Sequence, residues 1–285
     1  MAQRHSANAA GDWYVDDRCI DCAAARTVAP GLIVRQGGQS VFARQPAGAA
    51  ATEMAQRAAL VCPTASVRTG SKQRFPRNLY PHELAPGLWR CGFNARSSYG
   101  AHSYFLRCAG GNLRVDPPRY LRRLKRFFAQ AGGIGLVLLT HRDDVADAGA
   151  YAADFGARAW IHEDDADAAP WATDYPRGPD AQLLRDDVEA IPVPGHTRGS
   201  VVYCVAGRYL FTGDSLAWSF ERNDLYAFRE VCWFSWSQQA NSLERLLAQP
   251  FEWVLAGHGG SEHRSAAEMR ERSLGLVDRM RAEPQ

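Results

Sequence analysis

Between residues 103 and 281 the chain alternates between two hydrophobic periods. Short apolar runs at 103–107, 113–116, 136–140, 157–162, 189–193, 201–205, 209–212 and 253–256 read as strands. Patterns with the 3.6-residue helical period at 118–131, 147–155, 235–248 and 265–281 read as helices. A chain written this way must bury sheets beneath helices, so a layered α/β domain is expected. No repeat of fixed period interrupts it, and the one low-complexity tract is the short alanine-rich stretch at 47–59.

The chain has 285 residues, 46% of them hydrophobic, enough for one large domain or two unequal ones. Its apolar runs, such as residues 134–139, fall far short of the roughly 18–20 residues that span a bilayer. The opening MAQRHSANAAGD has no apolar signal core, so a soluble, cytoplasmic protein without membrane contact is expected. The net charge of +2 comes from interspersed Arg and Asp, and the one basic cluster, residues 119–126, fits a solvated helix face. No nucleic-acid partner is expected from it. The dominance of Arg over Lys and the many alanines suggest a GC-rich bacterial genome. Seven cysteines, an odd number without an export signal, argue against a disulfide framework. Homo-oligomerisation is left open.

Composition divides the chain into a loose polar tail (1–15), a compact segment (16–70), a polar linker (71–83) and the main body (84–285). In the compact segment, Cys19-Ile-Asp-Cys22 is followed 40 residues later by Cys62-Pro63. Close cysteines of this kind wrap a turn around an iron–sulfur cubane, and a distant Cys-Pro supplies the last thiolate. The segment resembles the bacterial single-cluster ferredoxin domain, a small α+β fold, and the likeness extends to APGLI and CPTASV. It departs where the family has its third cysteine, because Ala25 stands there. Alanine cannot bind iron, so an intact [4Fe–4S] cluster is not expected. Three states stay open for Cys19, Cys22 and Cys62: packing as small hydrophobes, a three-iron or iron-labile cluster, or zinc or another thiolate site. Cys91, Cys108, Cys204 and Cys232 sit alone in apolar contexts and are expected in the core.

The main body carries four landmarks: LLTHRDDVAD (138–147), PVPGHTRGSVVY (192–203), YLFTGDSLAW (209–218) and WVLAGHGG (253–260). In order and setting they resemble the metallo-β-lactamase-fold superfamily, and together with the N-terminal segment its ferredoxin-fused branch. The resemblance implies an αββα sandwich whose loops, at one edge, aim imidazoles and carboxylates at one or two cations. These are commonly zinc, with iron or manganese in some branches, and they activate a water for attack. By motif, the metal ligands are His141, His196, Asp214 and His258, with Asp214 bridging and orienting the attacking hydroxide.

The first landmark departs from the family's Thr-His-x-His-x-Asp-His. An ungapped overlay puts Asp143, Val145 and Ala146 at the missing ligands, and two extra loop residues put Asp147 and Ala148 there instead. Either way at least one imidazole of the second position is gone. One well-formed position is therefore expected, from His141, His196, Asp214 and Asp143, beside a weak second one from His258, Asp214 and Asp147. Asp214, Asp143 and Asp147 are the candidate catalytic carboxylates, and the acidic Asp143-Asp144 would suit a carboxylate-rich iron or manganese pair better than zinc. His162 and His102 are expected outside the ligand set. Trp218, Trp233, Phe234 and Trp236 form either a pocket wall or core.

The function these features imply is a metal-dependent hydrolase acting on a small-molecule ester, thioester, lactone or phosphoester. A diiron or iron–sulfur redox protein, and a cofactor-less pseudoenzyme or scaffold, are the alternatives. The fold hosts many chemistries, so β-lactam hydrolysis does not follow from the likeness.

Overall fold

The computed structural model describes residues 2–71 and 73–282. The N-terminal unit consists of β1 (Trp13–Val15), α1 (Ala24–Val28), a hairpin of β2 (Ile33–Gln36) and β3 (Gln39–Phe42), α2 (Gly48–Val61) and β4 (Val67–Thr69). β1 and β4 pair antiparallel. Helix α2 turns Ala51, Ala55 and Ala58 inward on one face, and these small side chains let it lie close to its neighbours. The segment expected as a loose tail is built in. Trp13 and Val15 are buried in the unit's core with Leu32, Ile33 and Phe42. The Asn8 carboxamide accepts from Val15 N at 2.9 Å and Phe42 N at 3.0 Å, tying the segment to two strands.

The main body opens with β5 (His82–Ala85), β6 (Leu88–Arg90), β7 (Tyr104–Leu106) and β8 (Leu113–Val115) as an antiparallel meander. Then α3 (Arg122–Gln130), β9 (Leu136–Leu138), α4 (Ala148–Phe155) and β10 (Arg158–Trp160) extend the sheet in parallel. The expected linker thus ends inside β5, a mixed-polarity edge strand without the apolar run that marks a central one. The second sheet comprises β11 (Gln182–Arg185), β12 (Val188–Pro192), β13 (Val201–Val205) and β14 (Tyr209–Gly213). After a ribbon of β15 (Ala217–Ser219) and β16 (Asp224–Tyr226) come α5 (Trp236–Arg245), β17 (Trp253–Ala256), β18 (Glu262–His263) and α6 (Ala266–Ala282). β17 joins β14 in parallel and β18 closes the edge.

Side-chain alternation assembles the layers. In β7, Tyr104 and Leu106 face the second sheet, and Phe105 faces α3. In β13, Val201, Tyr203 and Val205 meet them, while Val202 and Cys204 face the helices of the other side. Each fully buried aliphatic side chain contributes about 1.5–3 kcal/mol, so a strand with two apolar faces cements three layers. Buried tyrosines cross the seam: Tyr203 Oη donates to Leu139 O at 2.9 Å and Tyr104 Oη to Ala256 O at 2.7 Å. The result is the layered α/β domain the strand and helix pattern implied, in the αββα order the resemblance implied. Among the described residues no helix is long and apolar enough to cross a membrane.

Candidate metal centre

β9, β12, β14 and β17 end at the same edge of the sandwich, and each hands one chemical side chain to the following loop: His141, His196, Asp214 and His258. The carboxyl ends of strands are where such folds place ligands.

His141 and His196 are set up alike. The His141 Nδ1 donates to Thr140 Oγ1 at 3.0 Å, and that hydroxyl donates to Asp116 Oδ2 at 2.8 Å. The His196 Nδ1 donates to the Val231 carbonyl. In both rings the proton is held on Nδ1, which leaves Nε2 bare, the arrangement by which an outer partner fixes a metal-binding imidazole. Both Nε2 atoms are buried and have no hydrogen-bond partner. Each lies 3.7 Å from Asp214 Oδ2, and the rings stand nearly perpendicular with centroids 4.7 Å apart. Burial pushes His141 down to about 4, which keeps it neutral and able to bind a cation.

Asp214 is the hub. Its Oδ1 accepts from His258 Nδ1 at 2.8 Å and from His258 N at 3.1 Å. Burial would raise its pKa, but His258, His141 and His196 together hold it well below the usual carboxylate range. His258 answers in kind: burial opposes its charge, yet Asp214 and Asp144 lift it to about 10.

The third carboxylate is not the one expected. Residues Arg142–Asp144 form a 3-10 turn directly after His141. In such a turn side chains three apart eclipse, so Asp144 comes round to the side of His141, with Oδ2 3.9 Å from His141 Nε2. Asp144 is buried and neither of its carboxylate oxygens has a hydrogen-bond partner. Burial, then Asp214, push its pKa well up. Gly257 makes room for it, since a Cβ there would sit 2.9 Å from Asp144 Oδ2 and 3.0 Å from Asp214 Oδ1. Asp143 stands at the rim, half exposed, with Oδ2 3.5 Å from His196 Nε2. Asp147 is outside the site, a correction to its expected role: it begins α4, and its carboxylate accepts from Tyr120 N at 2.7 Å.

Among the described residues, two groups bring three donor atoms within 4.8 Å of one another: His141, His196 and Asp214, and Asp144, Asp214 and His258. Buried, partnerless nitrogens and oxygens pointing at a common hub are costly unless a cation engages them, so the residues fit the group their motifs imply. The single well-formed position anticipated from the sequence is joined by a second, because Asp144 stands where no histidine remains. Asp144→Ala is expected to weaken only this second position in metal titrations. Asp147→Ala should leave metal content unchanged and lower stability by about 1 kcal/mol, the worth of its one hydrogen bond.

Other residues hold the loops. Asp165 is buried and accepts from Arg142 N at 3.1 Å and Thr197 Oγ1 at 2.6 Å, stapling the His141 loop to the His196 loop. The segment after Phe228 straps over His196, with Trp233 N donating to His196 O at 2.9 Å and Ser235 N to Gly195 O at 3.0 Å. Trp233 and Phe234 on this strap are exposed at the mouth, whereas Trp218 is core and Trp236 packs against it. His162 turns away and bonds Gly178 O at 3.1 Å, and His102 is buried beside Asn94. In the N-terminal unit Cys62 accepts from Ser66 N at 3.2 Å, and burial pushes the Cys22 thiol up to about 12. Cys19, Cys22 and Cys62 do not form one of the compact donor groups, and Ala25 packs in the core.

Comparison with solved structures finds the same sandwich in the metallo-β-lactamase DIM-1 exposed to ceftazidime. The TM-score is 0.54 at 17% identity, covering 70% of this chain and 95% of that one. The main body has the metallo-β-lactamase fold. TMB-1, a second structure with the metallo-β-lactamase fold, gives a TM-score of 0.54 at 15% identity over 70% of this chain and 96% of its own. Residues 15–69 match the family model for the 4Fe-4S single cluster domain of Ferredoxin I, so the metallo-β-lactamase fold here follows a ferredoxin-like unit. No curated protein sequence matches the chain.

Proposed function

We propose that the chain is a metal-dependent hydrolase of a small ester, thioester, lactone or phosphoester. The observation that supports this most is the convergence of His141 Nε2, His196 Nε2 and the Asp144 carboxylate, all buried and partnerless, around Asp214. A divalent cation bound there supplies Lewis acidity and a water acidified toward a pKa of ~7.

The chain's own groups do the positioning. His141, His196 and Asp214 hold the first position, and Asp144, Asp214 and His258 the second. Asp143, held ionised chiefly by the neighbouring His196 imidazole, faces the entrance, where it orients the attacking water. Trp233 and Phe234 offer an apolar wall beside His196, suited to the non-reacting part of a small substrate. Two carboxylates and one imidazole make the second position oxygen-rich, which favours iron or manganese over zinc.

The test is metal analysis of the purified full chain with hydrolysis of p-nitrophenyl acetate, an acyl thioester and bis-p-nitrophenyl phosphate. Bound metal with turnover that a chelator abolishes supports the reading. A brown protein with redox activity and no hydrolysis would replace it with an iron redox protein. Protein that stays metal-free after growth in supplemented medium would replace it with a scaffold.

A further inference from the structure

We infer that the N-terminal unit completes the metal centre by positioning His258 through Tyr99; the inference rests on the metal-centre reading above. His258 presents Nδ1 to Asp214, the reverse of His141 and His196, so its Nε2 must be held from outside. That partner is the backbone carbonyl of Tyr99, 3.3 Å from Nε2. Tyr99 lies in the loop between β6 and β7 with φ +46°, a left-handed conformation that a tyrosine does not adopt without outside support.

The support comes from the ferredoxin-like unit. The Tyr99 hydroxyl donates to the carbonyl of Ile20, inside the Cys19-Ile-Asp-Cys22 turn. The next residue, Gly100, with φ +92°, lies so close to that turn that an added Cβ would sit 2.8 Å from Cys22 Sγ and 3.0 Å from Pro63 Cγ. Asn94 Nδ2 donates to Gly100 O at 2.7 Å, and His102 N donates to Gly257 O at 2.7 Å, so the loop is also fastened beside His258. A continuous line of contacts therefore runs from the cysteine turn through Tyr99 and Gly100 to the ring that faces Asp214. Tyr99 is a positioning residue: it sets the tautomer and aim of His258, while the N-terminal unit sets Tyr99. The placement of Cys22 is thereby felt at the second metal position and not at the first, whose histidines are held by Asp116, Thr140 and Val231.

The experiment titrates manganese(II) into the full chain and its Tyr99→Phe and Gly100→Ala variants. In parallel, NMR follows exchange of the His258 imidazole N–H in metal-free protein, with far-UV circular dichroism checking that each variant is folded. Tyr99 is largely exposed, so loss of its hydroxyl does not threaten the core. Tyr99→Phe should weaken the second manganese equivalent by roughly 3- to 10-fold, leave the first unchanged and speed His258 N–H exchange. Gly100→Ala should do the same more strongly, by roughly 10-fold or more. Second-position affinity and His258 exchange within twofold of the parent in Tyr99→Phe would overturn the inference. A parent chain that binds no manganese would overturn the metal-centre reading instead, and the His258 exchange rates would still decide the role of Tyr99.

Discussion

Asp214→Asn is expected to remove both metal equivalents at once and to lower any hydrolytic rate by roughly 10³-fold or more, the several kcal/mol that a bound cation supplies. Asp214 belongs to both groups of donors, with Oδ2 3.7 Å from His141 and His196 and Oδ1 against His258. An amide keeps the shape but loses the negative charge that lets two cations approach one another. It also leaves His258 without the carboxylate that keeps it protonated, so that ring loses its proton and the metal-free fold survives. His258→Ala is the control, since it removes a donor from the second group only and should cost one equivalent. Elemental analysis after exhaustive dialysis decides the matter. An Asp214→Asn protein that keeps one tightly bound ion would show that the two positions do not share this residue.

The second large effect is one of pH. His258 carries a proton in the metal-free site at neutral pH, because its pKa is lifted to about 10, and Asp144 is pushed well above the ordinary carboxylate range by burial. A cation entering the second position must displace the His258 proton, so affinity there should rise about tenfold per pH unit for each proton released. The first position behaves differently. His141 is already neutral, pushed down to about 4 by burial, and the His196 pKa is raised because Asp143 and Asp214 outweigh its burial, so at most one proton competes there. Between pH 7 and 9, below the His258 pKa of about 10, the second affinity should keep climbing. Linkage gives the complementary sign for metal-free protein. The folded pKa of His258 lies above the unfolded 6.5, so its ion pair stabilises fully below about pH 6.5, and that contribution fades as the pH rises through 10. Calorimetric titrations in buffers of different protonation enthalpy measure the proton count. A second-position affinity that stays flat between pH 7 and 9 would sink the argument.

The legible part of the chain was the part with long-range consequences. The apolar runs at 201–205, 209–212 and 253–256 are buried on both faces, and only central strands of a covered sheet need that composition. β5, β11 and β18 escaped notice because edge strands carry polar residues and leave no period to read. At the site, His141, His196, Asp214 and His258 stood out because each follows an apolar strand at its last residues. Asp144 was legible only as half of the acidic Asp143-Asp144 pair, because matching motifs by spacing set Asp143 or Asp147 at a ligand position. The chain makes a 3-10 turn, which brings Asp144 to the side of His141. Asp116, Asp165 and Tyr99 act on the site from 23 or more positions away in the chain, and only the folded chain reveals the alliances they form.

The strap over His196 is fastened almost wholly through backbone atoms: the Val231 carbonyl and the amides of Trp233, Phe234 and Ser235. Of its side chains, Cys232 joins the fastening, its Sγ donating to Gly195 O at 3.1 Å. Trp233 and Phe234 can be exchanged for residues of other size or charge without loosening the imidazole beneath them. The wall of the cleft can drift while the donors stay fixed, so the shape of the mouth is set by one short segment independently of the residues beneath it.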